Sequence, residues 1–446
     1  MASLIGLLIA VQMTLDVLKL EVGLAPGLSL KNALLYLVAA FIAVRMVLQG
    51  GTRFELRSLQ ISYVLLIAYA VLTWALASTL LGYQPYPVLT NAMAIKGWLA
   101  DYFLFFLVCF YGLRTEREAT AALQALLLVV SMANLVTLLD SSGLTDLGLV
   151  EIREDGRVQG ALGESNQYAA FLAFFIPILA AVTYTAHGAK RVMWAACTAM
   201  AAISMMITVS RGGFLGLGLA IVAGCWLFRR QVNVGKLAAW GTLSVVVLLM
   251  LLFAVDSDFR ALVMDRVVEG SARLDPGGIT SGRTEVWSDA VGTMLGQPIT
   301  LLTGFGWNAY FSMPFEGAPH NTYLNYWFNL GVPGVACLLV MYVTLVKTAT
   351  TSARIYARGP ERYWFIGFVV GTLGVCIAIA FVELYQVWIY VWSACGIVMR
   401  LAMIARQSAA TEAPGVGHIA SGSAAPVYGW NARSPALAAH SAPPRR

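Results

Sequence analysis

The sequence predicts an all-α polytopic membrane protein, on the evidence of its composition and of repeated apolar segments of helical length. Of its 446 residues, 59% are hydrophobic and 12% are charged, whereas a typical soluble domain is about 45–50% apolar and about 25% charged. Apolar runs of about 20 residues recur along the chain, and each has the length that a helix needs to cross a bilayer. These observations exclude a soluble enzyme, a nucleic-acid-binding protein and a disordered scaffold.

The apolar runs predict twelve membrane-spanning helices. The predicted ranges are 2–18, 30–48, 59–81, 92–112, 119–140, 166–186, 191–209, 213–228, 237–255, 322–346, 362–382 and 385–404. The first run lacks a basic n-region and a convincing cleavage site, so we expect it to remain as a helix. The eighth run is short and rich in glycine, which favours close packing between helices.

The distribution of charge predicts that both termini face the cytoplasm. With the N-terminus inside, the inward loops and the C-terminal tail collect 19 of the 29 lysines and arginines, as the positive-inside rule requires. Acidic residues concentrate instead in two long outward segments, 141–165 and 256–321. The net charge of +6 therefore indicates membrane topology rather than a nucleic-acid partner.

The longer outward segment predicts a small folded cap. Loops of more than about 15 residues are usually functional or disordered, and this one contains helical periodicity at 260–269 and 284–295. The predicted domains are helices one to nine in 1–255, a partly helical periplasmic loop in 256–321, helices ten to twelve in 322–404, and a tail in 405–446. The tail is rich in Ala, Ser and Pro, which predicts a disordered cytoplasmic segment.

One of the four histidines lies where an outer-face reaction would need a base. His320 immediately precedes the tenth predicted helix, whereas His187 lies in a short inward turn and His418 and His440 lie in the tail. A neutral imidazole with a pKa near 6.5 can take a proton from an attacking hydroxyl at neutral pH. The structural alternative is that His320 caps a helix or binds a loop carbonyl.

Two arginines beside glycine residues predict an anion site on the same face. Arg211 stands at the junction of predicted helices seven and eight, and Arg283 opens a predicted loop helix whose N-terminal amides favour an anion. Guanidinium groups bind phosphate oxygens in forked pairs. Together with His320, and without a cysteine or carboxylate cluster, they suggest a pyrophosphate-bearing substrate and a metal-free mechanism. The alternative is a structural ion pair, for which Glu285 and Asp289 are available to Arg283.

Further ionisable residues are weaker candidates. Lys96 and Asp101 lie within predicted helix four, but five residues of α-helix separate them by about 140°, which favours separate partners on other helices. Glu383 lies in the short outward turn between predicted helices eleven and twelve and could reach an outer cavity. The outer-face arginines that could bind substrate or balance the loop acids are Arg153, Arg157, Arg260, Arg266 and Arg273.

Five short motifs follow one another in the second half of the chain. They are Ser210-Arg211-Gly212-Gly213, Gly282-Arg283-Thr284 with Trp287, Gly304-Phe305-Gly306, His320-Asn321-Thr322-Tyr323-Leu324 and Gly331-Val332-Pro333-Gly334. In their order and spacing they resemble the O-antigen ligase family, whose superfamily also contains O-antigen polymerases and bacterial protein O-oligosaccharyltransferases. The resemblance covers about residues 60–400 and is sharpest over 205–335.

The resemblance implies a GT-C-like glycosyltransferase at the periplasmic face of the bacterial inner membrane. Such an enzyme takes a glycan from undecaprenyl pyrophosphate, and an O-antigen ligase transfers it to a sugar hydroxyl of lipid A–core, which completes lipopolysaccharide. The implied partners are undecaprenyl-pyrophosphate-linked O-antigen, lipid A–core oligosaccharide and membrane lipids, without nucleic acid. Both glycans are lipid-linked, so we expect an outer cavity that opens sideways to lipid.

By position, Arg211, Arg283 and His320 match the functional arginines and histidine of that family. The implied mechanism is a single inverting displacement in which His320 orients or deprotonates the acceptor hydroxyl. The two arginines would bind the pyrophosphate and stabilise charge on the leaving group, and the scheme requires neither a cofactor nor a metal. The further candidates for substrate binding are Asn321, Tyr323, Arg157 and Glu383.

Other functions stay open at this point. A polymerase would use the same donor to extend a second lipid-linked glycan, and a protein O-oligosaccharyltransferase would modify Ser or Thr. A transporter or flippase also has about twelve helices, but such folds show internal repeats and broken helices around a mid-membrane site. A transferase predicts that Arg211, Arg283 and His320 lie together at the outer interface, and a transporter predicts that they are scattered.

Overall fold

The computed structural model describes residues 1–231 and 283–412, apart from short gaps at 26, 50–54, 82, 84, 154–155, 316, 357–358, 384 and 386. Predicted helix nine (237–255), residues 256–282 of the loop segment 256–321 and most of the tail lie outside the described residues. The three outer-face arginines at 260, 266 and 273 lie outside them as well.

Every predicted helix within the described residues has a counterpart. The helices are α1 Ala2–Val17, α2 Leu30–Leu48, α3 Arg57–Leu76, α4 Val88–Ile95, α5 Asp101–Gly112, α6 Glu116–Ser141, α7 Ser165–Thr185, α8 Gly188–Ile207, α9 Arg211–Leu227, α10 Arg283–Gly296, α11 Ile299–Thr303, α12 Thr322–Ile355, α13 Glu361–Ala378 and α14 Trp388–Glu412. A short antiparallel hairpin pairs β1 (Gly23–Ala25) with β2 (Leu28–Ser29). The architecture is that of an all-α polytopic membrane protein, because eight of the described helical segments are long and apolar enough to cross a membrane.

The helices bury some apolar side chains inside the bundle and leave others exposed on its outer surface. Phe171, Phe174 and Phe175 of α7 are fully buried, whereas Val47 on α2 and Val222 on α9 are largely exposed. A water-facing surface would place polar groups at such exposed positions. Exposed Val and Leu along spanning helices are what a hydrocarbon environment favours.

The glycine-rich helix α9 packs closely against α7 and α13, as its composition predicts. A Cβ atom at Gly213 would lie 2.6 Å from the Ala169 side chain of α7, and one at Gly216 would lie 2.7 Å from the Gly374 carbonyl oxygen of α13. Small residues allow helix backbones to approach in this way. The contact holds the N-terminus of α9, where Arg211 lies, between these two neighbouring helices.

A π-helical turn changes one expectation from the sequence. Residues Lys96–Ala100 form this turn between α4 and α5, and the wider winding of a π-helix brings residues five apart onto one face. The Lys96 ammonium therefore lies 2.9 Å from the Asp101 carboxylate, and Tyr36 of α2 donates to the same carboxylate over 2.6 Å. The expectation of separate partners, which assumed regular α-helix geometry, was wrong.

Helix α12 is broken near its start, which the apolar pattern did not predict. Gly331 has φ 60° and ψ −158°, and a Cβ atom there would lie 2.2 Å from the Leu302 carbonyl oxygen. Gly304 lies on the segment that crosses α12 at this point. A Cβ atom added at Gly304 would lie 2.4 Å from the Asn329 carbonyl oxygen. Only glycine fits this crossing, which fixes the 304–321 segment against α12.

The ends of two helices differ from the predicted bounds. Helix α12 continues to Ile355, beyond the predicted end at 346, and α14 continues to Glu412, so that residues 405–412 are helical rather than part of the tail. Residues 401–412 contain several alanines and neither Gly nor Pro, and the next proline in the sequence is Pro414. Good helix formers therefore favour a helix through these residues.

Candidate functional site

A short segment after α13 holds three other parts of the chain together. In this hub segment, Ile379–Glu383, the Phe381 carbonyl accepts a hydrogen bond from Arg283 Nη1 at 2.7 Å. Thr322 donates its backbone N–H to the Ile379 carbonyl at 2.8 Å and its hydroxyl to the Val382 carbonyl at 2.9 Å. The start of α10 and the residues after His320 are therefore bound to one stretch of backbone.

The third part is the start of α9. Gly212 lies so close to Phe381 that a Cβ atom on the glycine would be 2.8 Å from the Phe381 Cβ. Arg211, the first residue of α9, is thus next to the same hub segment. The motif Arg211-Gly212 therefore combines a guanidinium with a neighbour small enough to let α9 approach.

The turn before Arg211 is held by Arg157 and Asn166. Arg157 is buried and donates from Nε to the Thr208 carbonyl at 3.0 Å and from Nη2 to the Asn166 Oδ1 at 2.8 Å. Ser210 donates its hydroxyl to the same Asn166 oxygen at 3.0 Å and caps α9. Arg157, a predicted substrate-binding residue, is placed here as a support of the turn that carries Arg211.

Arg283 lies at the first turn of α10 and is partly buried. Desolvation by burial lowers its pKa, and the positive charge of Arg211 lowers it further, while Glu164 acts in the opposite direction. A guanidinium stays protonated despite such a shift. The two arginines are close enough to repel each other, which is a favourable arrangement for binding a doubly charged anion between them.

His320 has a backbone conformation that is uncommon for its residue type. Its φ is 44°, in the left-handed region that non-glycine residues seldom adopt. The neighbouring Pro319 carbonyl accepts a hydrogen bond from the Trp287 indole at 2.6 Å, and Asn321 caps α12 by accepting from the Leu324 N–H at 3.1 Å. The flanking residues therefore hold the turn in this conformation.

The electrostatic environment of His320 favours the neutral imidazole. Burial lowers the pKa of His320 most, the charge of Arg283 lowers it further, and Glu164 opposes the change. A pKa below 6.5 leaves the ring uncharged at neutral pH and able to accept a proton. Arg283 acts electrostatically on both His320 and Arg211, and the contacts with the hub segment bring together the three parts of the chain that carry these residues.

Four non-glycine residues of the described chain have positive φ, namely Lys19, Val209, Asn308 and His320. Two of them, Val209 and His320, lie in the turns that carry the predicted site residues. For a branched residue such as Val209 this conformation is a marked outlier, and it immediately precedes the Ser210-Arg211 turn. Strained residues cluster at functional sites, so the backbone supports the same location as the side chains.

A polar cavity lies beside the hub segment. It has a volume of about 30 Å³, enough for a water molecule. Its polar lining includes Glu383, Tyr385 and Asn325, and its aromatic lining includes Trp98 and Trp307. The cavity therefore combines hydrogen-bonding groups with flat apolar rings.

Glu383 is buried in a hydrogen-bonded network at this cavity. The carboxylate accepts from Asn325 Nδ2 at 2.5 Å and from the Tyr385 hydroxyl at 2.8 Å, and Asn329 donates in turn to Asn325. Desolvation raises the pKa of Glu383 to about 7, and the two hydrogen bonds only partly offset that shift. The carboxyl group therefore titrates near neutrality.

Two predicted substrate-binding side chains are engaged within the scaffold. Asn321 uses its side-chain oxygen as the cap of α12. Tyr323 donates its hydroxyl to the Cys376 carbonyl of α13 at 2.7 Å. Both contacts hold α12 in place, and neither joins Tyr323 or Asn321 to Arg211 or Arg283.

Sequence reasoning missed several residues that build the site. Glu164 is the carboxylate that acts on both Arg283 and His320, accepts from Asn166 Nδ2 at 3.1 Å and lies 3.7 Å from Arg153. Its position directly before predicted helix six was an available signal. No signal in the sequence pointed to the Phe381 carbonyl, because any residue type can supply a backbone acceptor.

Comparison with known families gives one match. A family model described as O-antigen ligase matches residues 195–339. This span begins within α8, ends within α12 and contains Arg211, Arg283 and His320. No curated protein matches the chain.

Proposed function

We propose that this chain, a member of the O-antigen ligase family through residues 195–339, transfers a glycan from undecaprenyl pyrophosphate to a sugar hydroxyl of lipid A–core. The product would be complete lipopolysaccharide. The observation that carries the proposal is the convergence of two arginines and a neutral histidine at one end of a membrane-spanning bundle. A transporter would instead require its polar residues around a mid-membrane path.

Arg211 and Arg283 are the proposed ligands of the donor pyrophosphate. Arg211 is the first residue of α9 and Arg283 lies in the first described turn of α10, and the N-terminal end of a helix dipole favours negative charge. Two guanidinium groups that repel each other would be stabilised by an anion bound between them. As the glycosidic bond breaks, the same groups would stabilise the charge that develops on the leaving phosphate.

His320 is the proposed base for the acceptor. Its imidazole would take the proton of the acceptor hydroxyl as the new bond forms between the acceptor oxygen and the anomeric carbon. The bond from that carbon to the pyrophosphate breaks in the same step, with inversion, and undecaprenyl pyrophosphate leaves with the electron pair. The arginines supply the positive charge that this scheme needs, so it calls for neither a metal nor a cofactor.

The fold and location follow the same proposal. A GT-C-like arrangement would place the site at the periplasmic face of the inner membrane, with both termini in the cytoplasm. The donor and the acceptor carry sugars in the periplasm and lipid chains in the membrane, and a site at one end of the helical bundle suits both. The cavity at Glu383 is lined in part by Trp307 and Asn308, which belong to the segment before His320.

The test is a lipopolysaccharide gel from a strain that lacks this gene, complemented with the wild type or with His320→Ala. We expect the wild type to restore O-antigen on lipid A–core. The His320→Ala strain should lack it and should accumulate undecaprenyl-linked polymer. His418→Ala removes a histidine from the predicted tail and is the matched control, with protein levels compared by blotting.

The other outcomes separate the alternatives. A core capped by a single repeat unit in the deletion strain would identify a polymerase instead of a ligase. An unchanged O-antigen ladder in that strain would contradict the proposal altogether. Full rescue by His320→Ala would leave the ligase assignment and exclude the histidine as its base.

A further inference from the structure

A second, larger cavity lies at the opposite end of the bundle from His320. It has a volume of about 430 Å³ and is bounded by the end of α7, the start of α8 and the start of α13, with His187, Arg191 and Arg362 among its lining residues. Helix α7 begins beside Asn166 and α13 ends at the hub segment, so one helix length separates the two cavities. For 18–21 residues that is about 27–32 Å.

The lining of this cavity is cationic. Among the described residues that line it are two arginines and a histidine, and none is a carboxylate. One acid lies nearby: a Cβ atom on Gly359 would be 2.4 Å from a Glu361 carboxylate oxygen. Among the described lining residues, the formal charge is therefore positive.

The groups around the cavity are suited to phosphate oxygens. Helices α8 and α13 both begin here, at Gly188 and Glu361, and neither has a side-chain cap for its first N–H groups. The Arg362 guanidinium is held in place, since it donates to the Tyr363 hydroxyl at 2.8 Å and lies 4.8 Å from the centre of that ring. A fixed guanidinium beside a helix N-terminus binds an anion with little loss of side-chain entropy.

The rim of the cavity is apolar and exposed. The Tyr184 ring is tilted against that of Tyr363, with ring centres 4.7 Å apart, and Tyr184 is 62% exposed. Val192 and Met193, which follow Arg191 in the first turns of α8, are 72% and 41% exposed. Exposed apolar side chains directly beside cationic ones are what the boundary between acyl chains and headgroups favours.

We propose that this cavity binds the phosphate headgroup of an anionic phospholipid, with Arg191 and Arg362 as its main ligands. The apolar rim favours a lipid over a free phosphate ion, because it would contact the acyl chains. Basic pockets between helix ends bind anionic headgroups in this way in other membrane proteins. A bound headgroup would join the end of α7 to the start of α13, the two helices whose other ends hold Asn166 and the hub segment.

Thermal unfolding of the purified full-length protein in detergent tests the site. Dioleoylphosphatidylglycerol and dioleoylphosphatidylcholine have the same acyl chains, so their comparison isolates the headgroup. We expect the phosphatidylglycerol to raise the unfolding temperature of the wild type more than the phosphatidylcholine does. Arg191→Gln should need about tenfold more phosphatidylglycerol for the same rise, since it loses a charge-assisted pair with the phosphate.

Lys190→Gln is the matched control, because Lys190 is exposed, adjacent to Arg191 and outside the lining. It should respond to phosphatidylglycerol like the wild type. An equal loss in Lys190→Gln and Arg191→Gln would mean diffuse attraction by surface charge and would overturn the site. So would an equal response of the wild type to both lipids.

Two further measurements keep the result interpretable. Sodium phosphate at the same ionic strength as sodium chloride tests the free ion, and stabilisation by phosphate equal to that by phosphatidylglycerol would overturn the lipid assignment. Native mass spectrometry counts bound phosphatidylglycerol directly. Arg362→Gln should lose one bound lipid there, and a full complement of bound lipid in both arginine variants would contradict the proposal.

Discussion

At the scale of single residues, the properties of His320 depend on its neighbours rather than on its own type. Burial and the charge of Arg283 lower its pKa, and Arg153 contributes in the same direction. The sequence identified the histidine and both arginines of the proposed site, because His is scarce and Arg beside Gly is distinctive. It could not identify Glu164 as their shared counter-charge, since that role depends on how α7 approaches α10.

Arg153→Gln should move the acidic limb of the transfer rate to higher pH. Arg153 disfavours the protonated imidazole, so its removal raises the pKa of His320, and the neutral base is then lost at a higher pH as the solution is acidified. The change should be small, because Arg153 is exposed and its charge is screened by solvent. Transfer rates measured from pH 5 to 8 with purified substrates would show it, and Arg354→Gln, at the far end of α12, should leave the profile unchanged.

Glu383 should make the protein less stable as the pH rises. Its pKa in the folded state is about 7, raised from 4.5, so the unfolded chain ionises first and stability is lost as the pH rises from about 4.5 through 7. The glutamine in Glu383→Gln cannot ionise, and its side-chain oxygen can still accept the hydrogen bond from Asn325. This variant should therefore not lose stability through this ionisation as the pH rises. Unfolding temperatures of both proteins at several pH values test it, and parallel curves would show that Glu383 does not titrate in this range.

At the scale of elements, apolar periodicity predicted the helices but not their irregularities. The pattern is the same for an α-helix, for the π turn at Lys96–Ala100 and for the break at Gly331, because all three keep the chain apolar. The motif glycines were visible in the sequence, yet the reason for them was not. Gly304 and Gly331 are required because two backbones cross there, and such a crossing exists only in the folded chain.

Gly331→Ala should destabilise the fold by about 2–3 kcal/mol or more. The substitution adds a Cβ at a φ of 60° and only 2.2 Å from the Leu302 carbonyl oxygen, so it combines backbone strain with a steric clash. Gly292→Ala in α10 is the control, because that position has open space and a helical conformation and should be neutral or slightly stabilised. The free energies of unfolding of the two variants can be compared in a denaturing detergent. Equal stability of both variants would contradict the close approach of the two backbones at Gly331.

At the scale of the whole molecule, the charge asymmetry predicts an orientation that can be measured directly. Ser142, after α6, and Arg354, near the end of α12, are both exposed and lie on opposite sides of the membrane in the proposed topology. With the native cysteines replaced, Ser142→Cys should react with an impermeant maleimide in spheroplasts. Arg354→Cys should react only after the membrane is opened, and the reverse pattern would invert the topology.

The hub segment also has a consequence for how the protein is made. Arg211, Arg283 and His320 all precede it in the chain, but the carbonyls that hold Arg283 and Thr322 belong to residues 379–382. During synthesis, Arg211, Arg283 and His320 would therefore be inserted before the backbone that arranges them. A nascent chain would gain the proposed site only after α13 has been inserted, so an incomplete chain would be unable to carry out the proposed transfer.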